Sequence, residues 1–294
     1  MVTNMVIDEN KFNLLVGTAR NNSCDSYLRC KAITDLTKTK SRKLYPLFIE
    51  ILQDCISRGN EKYVRLDALL SLGRIEDSRS FFPLINYYES ADYEERCKIL
   101  MAFDEFCDPR SRQFLEIIIS TSKNDIKQLA TSAYNKVTRN LDLPFLYRYI
   151  LKEEDRIKAE SSTGMINVES IDSLHDKKNI LFHSLNSGRP QTYIVLPSGS
   201  LFVGGFLHEH VIVARGNDVM AAGEINFDNK FNVIYMNNRS NGYYPDGYSI
   251  KFLKHSLDSA KINHSSAVIE NFPINGFLDS DILRNFSFYK ETST

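Results

Sequence analysis

The stretch YVRLDALLSLGRIEDSRSFFPLINYYE, residues 63–89, decides the fold, because the chain repeats it at once as YEERCKILMAFDEFCDPRSRQFLEIII, residues 93–119. At an offset of 31 residues Arg65 recurs as Arg96, Leu69 as Leu100, Asp77 as Asp108, Arg79 as Arg110 and Leu84 as Leu115. A partial third copy, DIKQLATSAYNKV (125–137), sets Ala130 where Ala68 and Ile99 stand, and Tyr134 where Leu72 and Phe103 stand. Self-similarity at such a period marks a helical repeat whose units bury their apolar faces only by stacking on a neighbour. Leu66, Leu69, Leu70, Leu72 and Ile75 form a broad apolar stripe at helical spacing. One unit therefore reads as a helix ending near Gly73 to Asp77, a short polar turn, and an antiparallel helix from about Ser80 through Leu84, Ile85 and Tyr88. Asp77 and Asp108 fall in the turns, where a short carboxylate can accept from exposed backbone N–H groups.

Upstream, SYLRCKAITDL (26–36) and LYPLFIEILQDCIS (44–57) make an earlier helix pair, with Arg29 and Ala32 placed like Arg65 and Ala68. The offset there is 36 residues, because TKTKSRK (37–43) lengthens the turn. Its Lys38, Lys40, Arg42 and Lys43 read as a solvated loop, with an acidic protein partner as the alternative. Arg65 and Arg96 have two readings: bonds to the preceding turn, alongside the recurring Asp77 and Asp108, or a basic ladder on a partner-binding face. The repeated helix pair, the Asp77-to-Arg79 turn recurring at Asp108 to Arg110, and the VRLDALLSLG text resemble HEAT-type repeats over roughly residues 25 to 150. That resemblance implies an α-solenoid acting as a protein-binding scaffold. The helical domain is expected over residues 11–158, closed by Pro144 and the charged run LKEEDRIKAESSTG, with a linker at 159–179.

The pattern then changes to short β-rich runs separated by glycine turns, and a β-rich domain is expected over 180–290. TYIVLP, SLFVGGF, HVIVA, DVMAAGEINF and FNVIYMNN read as strands, with hairpin turns at Pro197-Ser198-Gly199 and at FDNKF. Tyr248, Phe252, Leu253 and Leu257 recur at helical spacing, and SAVIENF closes as a strand. The fold class is thus multidomain α and α+β: a short HEAT-like α-solenoid, then a small antiparallel sheet packed on one helix.

Candidate site residues cluster between His208 and Pro245. Glu224 follows Ala221-Ala222-Gly223, whose small side chains let backbone or a ligand approach. Three readings of Glu224 stand: a catalytic carboxylate, a structural acceptor fixing the Asn-rich loop that follows, or an exposed strand residue. His208 and His210 would share a face of a strand, but no third metal ligand is evident. In NNRSNGYYPDGY (237–248), Asn237, Asn238 and Ser240 can bond locally to the backbone. Tyr243 and Tyr244 beside Arg239 offer either a stacking surface for a partner or rings that seal a rigid loop. This half resembles a module at the ends of bacterial toxins and secreted effectors, and in plant calmodulin-binding IQ proteins. The match runs through His210, Gly216, then Val219, Ala222, Gly223 and Glu224 for V..AGE, then Asn238, Ser240, Tyr243 and Pro245 for N.SGHY.P. The glycine and histidine of that pattern fall on Asn241 and Gly242, so its histidine is missing here.

With 36 basic against 37 acidic residues, the net charge of −1 supplies no general attraction to nucleic acid or an anionic membrane. No apolar run approaches the roughly 20 residues of a membrane helix, and MVTNMVIDENKFN carries no basic region followed by an apolar core, so a classical signal peptide is not expected. The five cysteines, an odd number at irregular spacing, read as buried thiols in a reducing compartment. No GxSxG elbow, P-loop or dinucleotide fingerprint is present, and no cofactor or metal is expected. Two functions follow as expectations. The first is a cytoplasmic protein-binding scaffold, such as a bacterial immunity factor or adaptor that masks or positions a toxin or effector. The second is an effector enzyme, exported by a non-classical bacterial route, that acts on a nucleotide or glycosidic bond. In that enzyme His210, Glu224 and Arg239 would be catalytic, and in the scaffold Arg65, Arg96, Tyr243 and Tyr244 would bind the partner.

Overall fold

The computed structural model describes residues 7–59, 61–205 and 208–272. It divides into two compact units, with the break between Asn140 and Leu141.

The first unit is helical. It runs α1 (Glu9–Arg20), α2 (Ser26–Thr37), α3 (Tyr45–Arg58), α4 (Lys62–Arg74), α5 (Phe81–Ser90), α6 (Tyr93–Phe106), α7 (Ser111–Thr121) and α8 (Asn124–Arg139). In the repeat-like packing, α2, α4, α6 and α8 lie side by side, and α1, α3, α5 and α7 each pack on the helix that follows them. The side-by-side helices point the same way, because bonds join like ends. At their starts Arg29 pairs with Glu61, Arg65 with Glu95, and Lys62 with Asp92 and Glu94 at 3.2 and 3.0 Å. At their ends Thr37 donates to Ser71 at 2.7 Å, and Lys136 meets Asp104 at 3.2 Å. Leu69, Leu72, Leu100 and Phe103 are fully buried, as their recurrence requires.

Asp77 accepts from the Arg79 amide at 3.0 Å and pairs with the Arg79 guanidinium at 2.7 Å, while that guanidinium donates back to the Arg42 carbonyl at 3.3 Å. Asp108 and Arg110 repeat the device: 2.9 Å to the amide, 2.5 Å between the charges, and 2.8 Å from Arg110 to the Ser78 carbonyl. Each turn thereby clamps the turn before it. Arg65 and Arg96 are spent elsewhere than on these aspartates: Arg65 on Glu95, Arg96 on the carbonyls of Tyr88 and Glu89 at 3.2 and 3.1 Å. Arg65 thus ties α4 forward to α6, and Arg96 ties α6 back to the end of α5, the kind of bond to the preceding segment that the first of the two readings expects.

The second unit begins earlier than the expected domain start at 180. Tyr147 bridges Val219, and α9 (Glu153–Ala159), β1 (Ile166–Val168) and α10 (Ile171–Asp176) occupy the stretch read as array end and linker. The rest is α11 (Lys178–Ser187), β2 (Gln191–Val195), β3 (Leu201–Val203), α12 (His210–Val213), β4 (Ala221–Phe227), β5 (Val233–Asn237), α13 (Ile250–Ser259) and β6 (Val268–Glu270). The expected end of the domain at 290 lies outside the described residues. The sheet order is β1-β3-β2-β4-β5-β6, antiparallel except that β6 runs parallel to β5. It is therefore a mixed sheet rather than the antiparallel one expected, and it carries several helices, not one. β2 is buried on both faces, which explains its consecutive Tyr193, Ile194 and Val195. Tyr193 and Val195 face a core with Leu253 and Leu257 of α13, whereas Ile194 faces Val211 and Val213 of α12.

HVIVA, read as a strand, is the short helix α12. Its β-branched residues carry strand propensity, but burying Val211 and Val213 against the sheet outweighs that weak preference. No helix among the described residues is long and apolar enough to cross a membrane.

Candidate functional site

The site is a cleft in the second unit, about 440 Å³ in volume. The chain brings His210, Glu224 and Arg239 to it from α12, β4 and the loop after β5. Asp155, Glu209 and Tyr149 join them, with Leu151 and Asn241 at the wall.

Its centre of rigidity is Asn237, the last residue of β5, which is fully buried. The Asn237 Oδ1 accepts from the backbone amides of Glu224 and Arg239, each at 2.9 Å. Its Nδ2 donates to Glu224 Oε2 and to Tyr235 Oη, each at 2.8 Å. The amide thus uses both ends and fixes the Glu224 carboxylate relative to the Arg239 backbone. Gly223 permits this: a Cβ there would stand 2.0 Å from the Asn237 carbonyl oxygen. Of the three readings of Glu224, the structure shows the acceptor role, and Glu224 also lines the cleft.

His210 opens α12 and its Nε2 lies 3.0 Å from the Gly223 carbonyl oxygen. A carbonyl only accepts, so Nε2 carries the proton and Nδ1 holds the lone pair. The residue keeps some exposed surface, but the ring is closely surrounded by protein. That loss of solvation pushes its pKa down to about 4, against a smaller opposite pull from the Gly223 bond. The imidazole is neutral at physiological pH. His208 does not pair with it on a strand face; its Nδ1 accepts from the Gly205 amide at 3.1 Å. Among the described residues no group of three or more His, Cys, Asp or Glu is placed to hold a metal ion.

Tyr149 is nearly buried, and burial first, then the nearby Asp155 and Glu209 charges, push its phenol up to about 12. Its ring occupies the space beside Gly242: a Cβ at Gly242 would lie 2.4 Å from a ring carbon, at a φ of +118°. The position where the toxin-type pattern carries histidine has no room for a side chain here. Tyr243 and Tyr244 are buried, so they are not a stacking surface for a partner. Tyr243 donates to the Asn217 carbonyl at 2.8 Å and packs edge-on against Tyr149 at 5.6 Å. The Arg239 guanidinium lies 5.6 Å over the Phe272 ring instead. Asn237 bonds locally to Arg239 as the loop text predicts, whereas Asn238 reaches further, donating to the Pro245 and Phe272 carbonyls at 2.9 and 3.0 Å. The buried Ser240 hydroxyl makes no bond.

Asp155, Glu209 and Tyr149 escaped the sequence reading. Asp155 sits in a charged run that reads as a solvated chain break, and nothing local distinguishes it from Glu153 or Glu154. Three carboxylates against one guanidinium leave the cleft with an excess of negative charge that favours cationic or hydroxyl-rich groups. Comparison of the chain with protein-family profiles, with curated proteins and with solved structures finds no match in any of the three.

Proposed function

We propose that this is a two-part binding protein, in which the helical unit holds a protein partner and the cleft of the second unit recognises a cationic or hydroxyl-rich group on that partner or on a molecule associated with it. The observation that carries this reading is how the two titratable candidates are used. His210 spends its protonated nitrogen on Gly223, and Glu224 spends one carboxylate oxygen on Asn237. A histidine with a pKa near 4 is almost never an imidazolium at neutral pH and so is a poor general acid. Fixed, preorganised groups of this kind serve recognition. A bacterial immunity factor or adaptor for a toxin or effector is the physiological form we favour. Affinity capture from the native cell, followed by size-exclusion chromatography of the recovered complex, tests it. Retention of a stoichiometric protein partner is expected, and recovery of the chain alone under gentle conditions overturns it.

A second reading rests on the convergence of His210, Glu224 and Arg239 in one cleft. It makes the protein an effector enzyme in which Arg239 holds an anionic group and Glu224 stabilises positive charge on a nucleotide or glycosidic substrate. Cellular toxicity of wild type against folded Glu224→Gln separates the two. Toxicity abolished in the variant favours the enzyme; equal behaviour removes it.

A further inference from the structure

The cleft of the second unit holds polar groups that the chain itself leaves unanswered. Tyr149 lines the cleft and is 4% exposed, yet among the described residues its hydroxyl has no hydrogen-bond partner. Its ring is held in place, lying against Gly242 and edge-on to Tyr243. A buried polar group without a partner is rare in a native structure and points to a bound group. His210 Nδ1 is a second unanswered acceptor, because Nε2 is the nitrogen bonded to Gly223. Glu224 gives Oε2 to Asn237, which leaves Oε1 over. Asp155 and Glu209 bring two more carboxylates to the same cleft, with no ion pair among the described residues. Arg239 also lines the cleft, but its guanidinium lies over the Phe272 ring and pairs with none of the three.

Charge and placement select the ligand. Carboxylates and the bare imidazole nitrogen only accept, so the ligand must be rich in donors. A neutral polyol would donate but would leave the carboxylates uncompensated, so the ligand must also be a cation. The acceptors do not converge on a point: among the described residues no three of His, Cys, Asp or Glu are placed to hold a metal ion. An ammonium is likewise a compact point charge, whereas a guanidinium spreads five N–H donors over a planar fork that meets carboxylates two bonds at a time. Leu151, 38% exposed at the wall, offers apolar surface to a methylene stem.

We propose that the cleft binds the guanidinium of arginine, with Glu224, Asp155 and Glu209 as carboxylate acceptors and the Tyr149 hydroxyl and His210 Nδ1 accepting from the N–H groups that remain. This rests on the reading that the cleft recognises a group on a partner or an associated molecule, and it names that group.

The test is isothermal titration calorimetry on the full chain at low salt. The probes are Gly-Arg-Gly blocked at both ends, the same tripeptide with lysine or with neutral citrulline at its centre, free L-arginine, and maltotriose. The arginine tripeptide should bind at least about tenfold more tightly than the lysine or citrulline forms. Tyr149→Phe should weaken it about fivefold, with melting temperature unchanged or raised because the hydroxyl has no bond within the chain to lose. Asp155→Asn should weaken it about tenfold, while Glu154→Gln, the same loss of charge on the same helix outside the cleft, should not. Tighter binding of the tripeptide than of free arginine assigns the guanidinium to a protein side chain; the reverse assigns it to a small molecule. Equal binding of the lysine or citrulline form, or indifference to both Tyr149→Phe and Asp155→Asn, overturns the proposal. Binding of maltotriose alone overturns it too, and leaves recognition of a hydroxyl-rich group at the cleft standing. If no probe binds while the chain still retains a protein partner, the guanidinium site falls and the scaffold reading survives. If no partner is retained either, both fall.

Discussion

Replacing Asn237 by alanine should strongly destabilise the second unit. The side chain is fully buried and makes four hydrogen bonds of 2.8 to 2.9 Å. Two are accepted from backbone amides, worth about 1 kcal/mol each, and one goes to the Glu224 carboxylate, worth about 1.5–3 kcal/mol. Adding the bond to Tyr235, and allowing for a shared network whose terms do not add, the loss is about 4 kcal/mol. The assay is urea unfolding of the full chain followed by circular dichroism, with hydrogen exchange read on peptides that cover β4 and β5. Exchange localises the effect, because the two units need not unfold together. The Glu224 and Arg239 amides should lose protection, and β4–β5 should open before the helical unit. Asn237→Asp should keep the accepting oxygen but set a second carboxylate against Glu224, so its stability should fall as pH rises and both groups ionise. A loss below about 1 kcal/mol in Asn237→Ala, with unchanged exchange in β4–β5, would refute the reasoning.

Three further outcomes follow from the same geometry. Arg110→Ala should destabilise the helical unit by about 3–5 kcal/mol in thermal or urea melts, because it leaves the fully buried Asp108 charge unpaired; a cost under about 1 kcal/mol would show that the turn clamp does not hold the repeats. His210 should make the second unit acid-sensitive. Its folded pKa of about 4 lies below the ordinary imidazole value of 6.5, so the unfolded chain binds the extra proton. The stability it protects is present above pH 6.5 and lost as pH falls through about 4, roughly 3 kcal/mol at most and less where water reaches the ring. His210→Asn should flatten that part of a stability–pH profile, and an unchanged profile would contradict the assignment. Gly242→Ala should cost several kcal/mol, and Gly242→His should prevent proper folding of the second unit, because Tyr149 fills the space and φ is +118°; near-native melting of Gly242→His would mean that Tyr149 moves aside freely.

Much of the fold could be read from text because repetition and periodicity report burial directly. Arg65 and Arg96, Asp77 and Asp108 announced the helix pairs, and their recurrence follows from bonds that tie one turn or helix to its neighbour. Partner assignment is where such reading stops. Asp77 and Arg65 share an offset, yet the aspartate bonds Arg79 and the arginine bonds Glu95, because equal spacing in sequence is not proximity in space. Strands were legible where one apolar run stood between two turns, as at TYIVLP. They were not at HVIVA, where local propensity and tertiary burial disagree and burial wins. At the cleft, Glu224, His210 and Arg239 were visible as unusual residues in a small-residue and Asn-rich context. The roles of Asn237, Tyr149 and Asp155 were hidden because they arise from contacts between distant segments, as when Tyr149 lies against Gly242.

The helical unit is proposed to hold a protein partner. Cross-linking mass spectrometry on the complex recovered from the native cell tests it most directly. Links from the partner should concentrate on lysines of the helical unit, such as Lys31 in α2, Lys62 in α4 and Lys98 in α6. Links confined to the second unit, or a chain that emerges from capture without a partner, would contradict it.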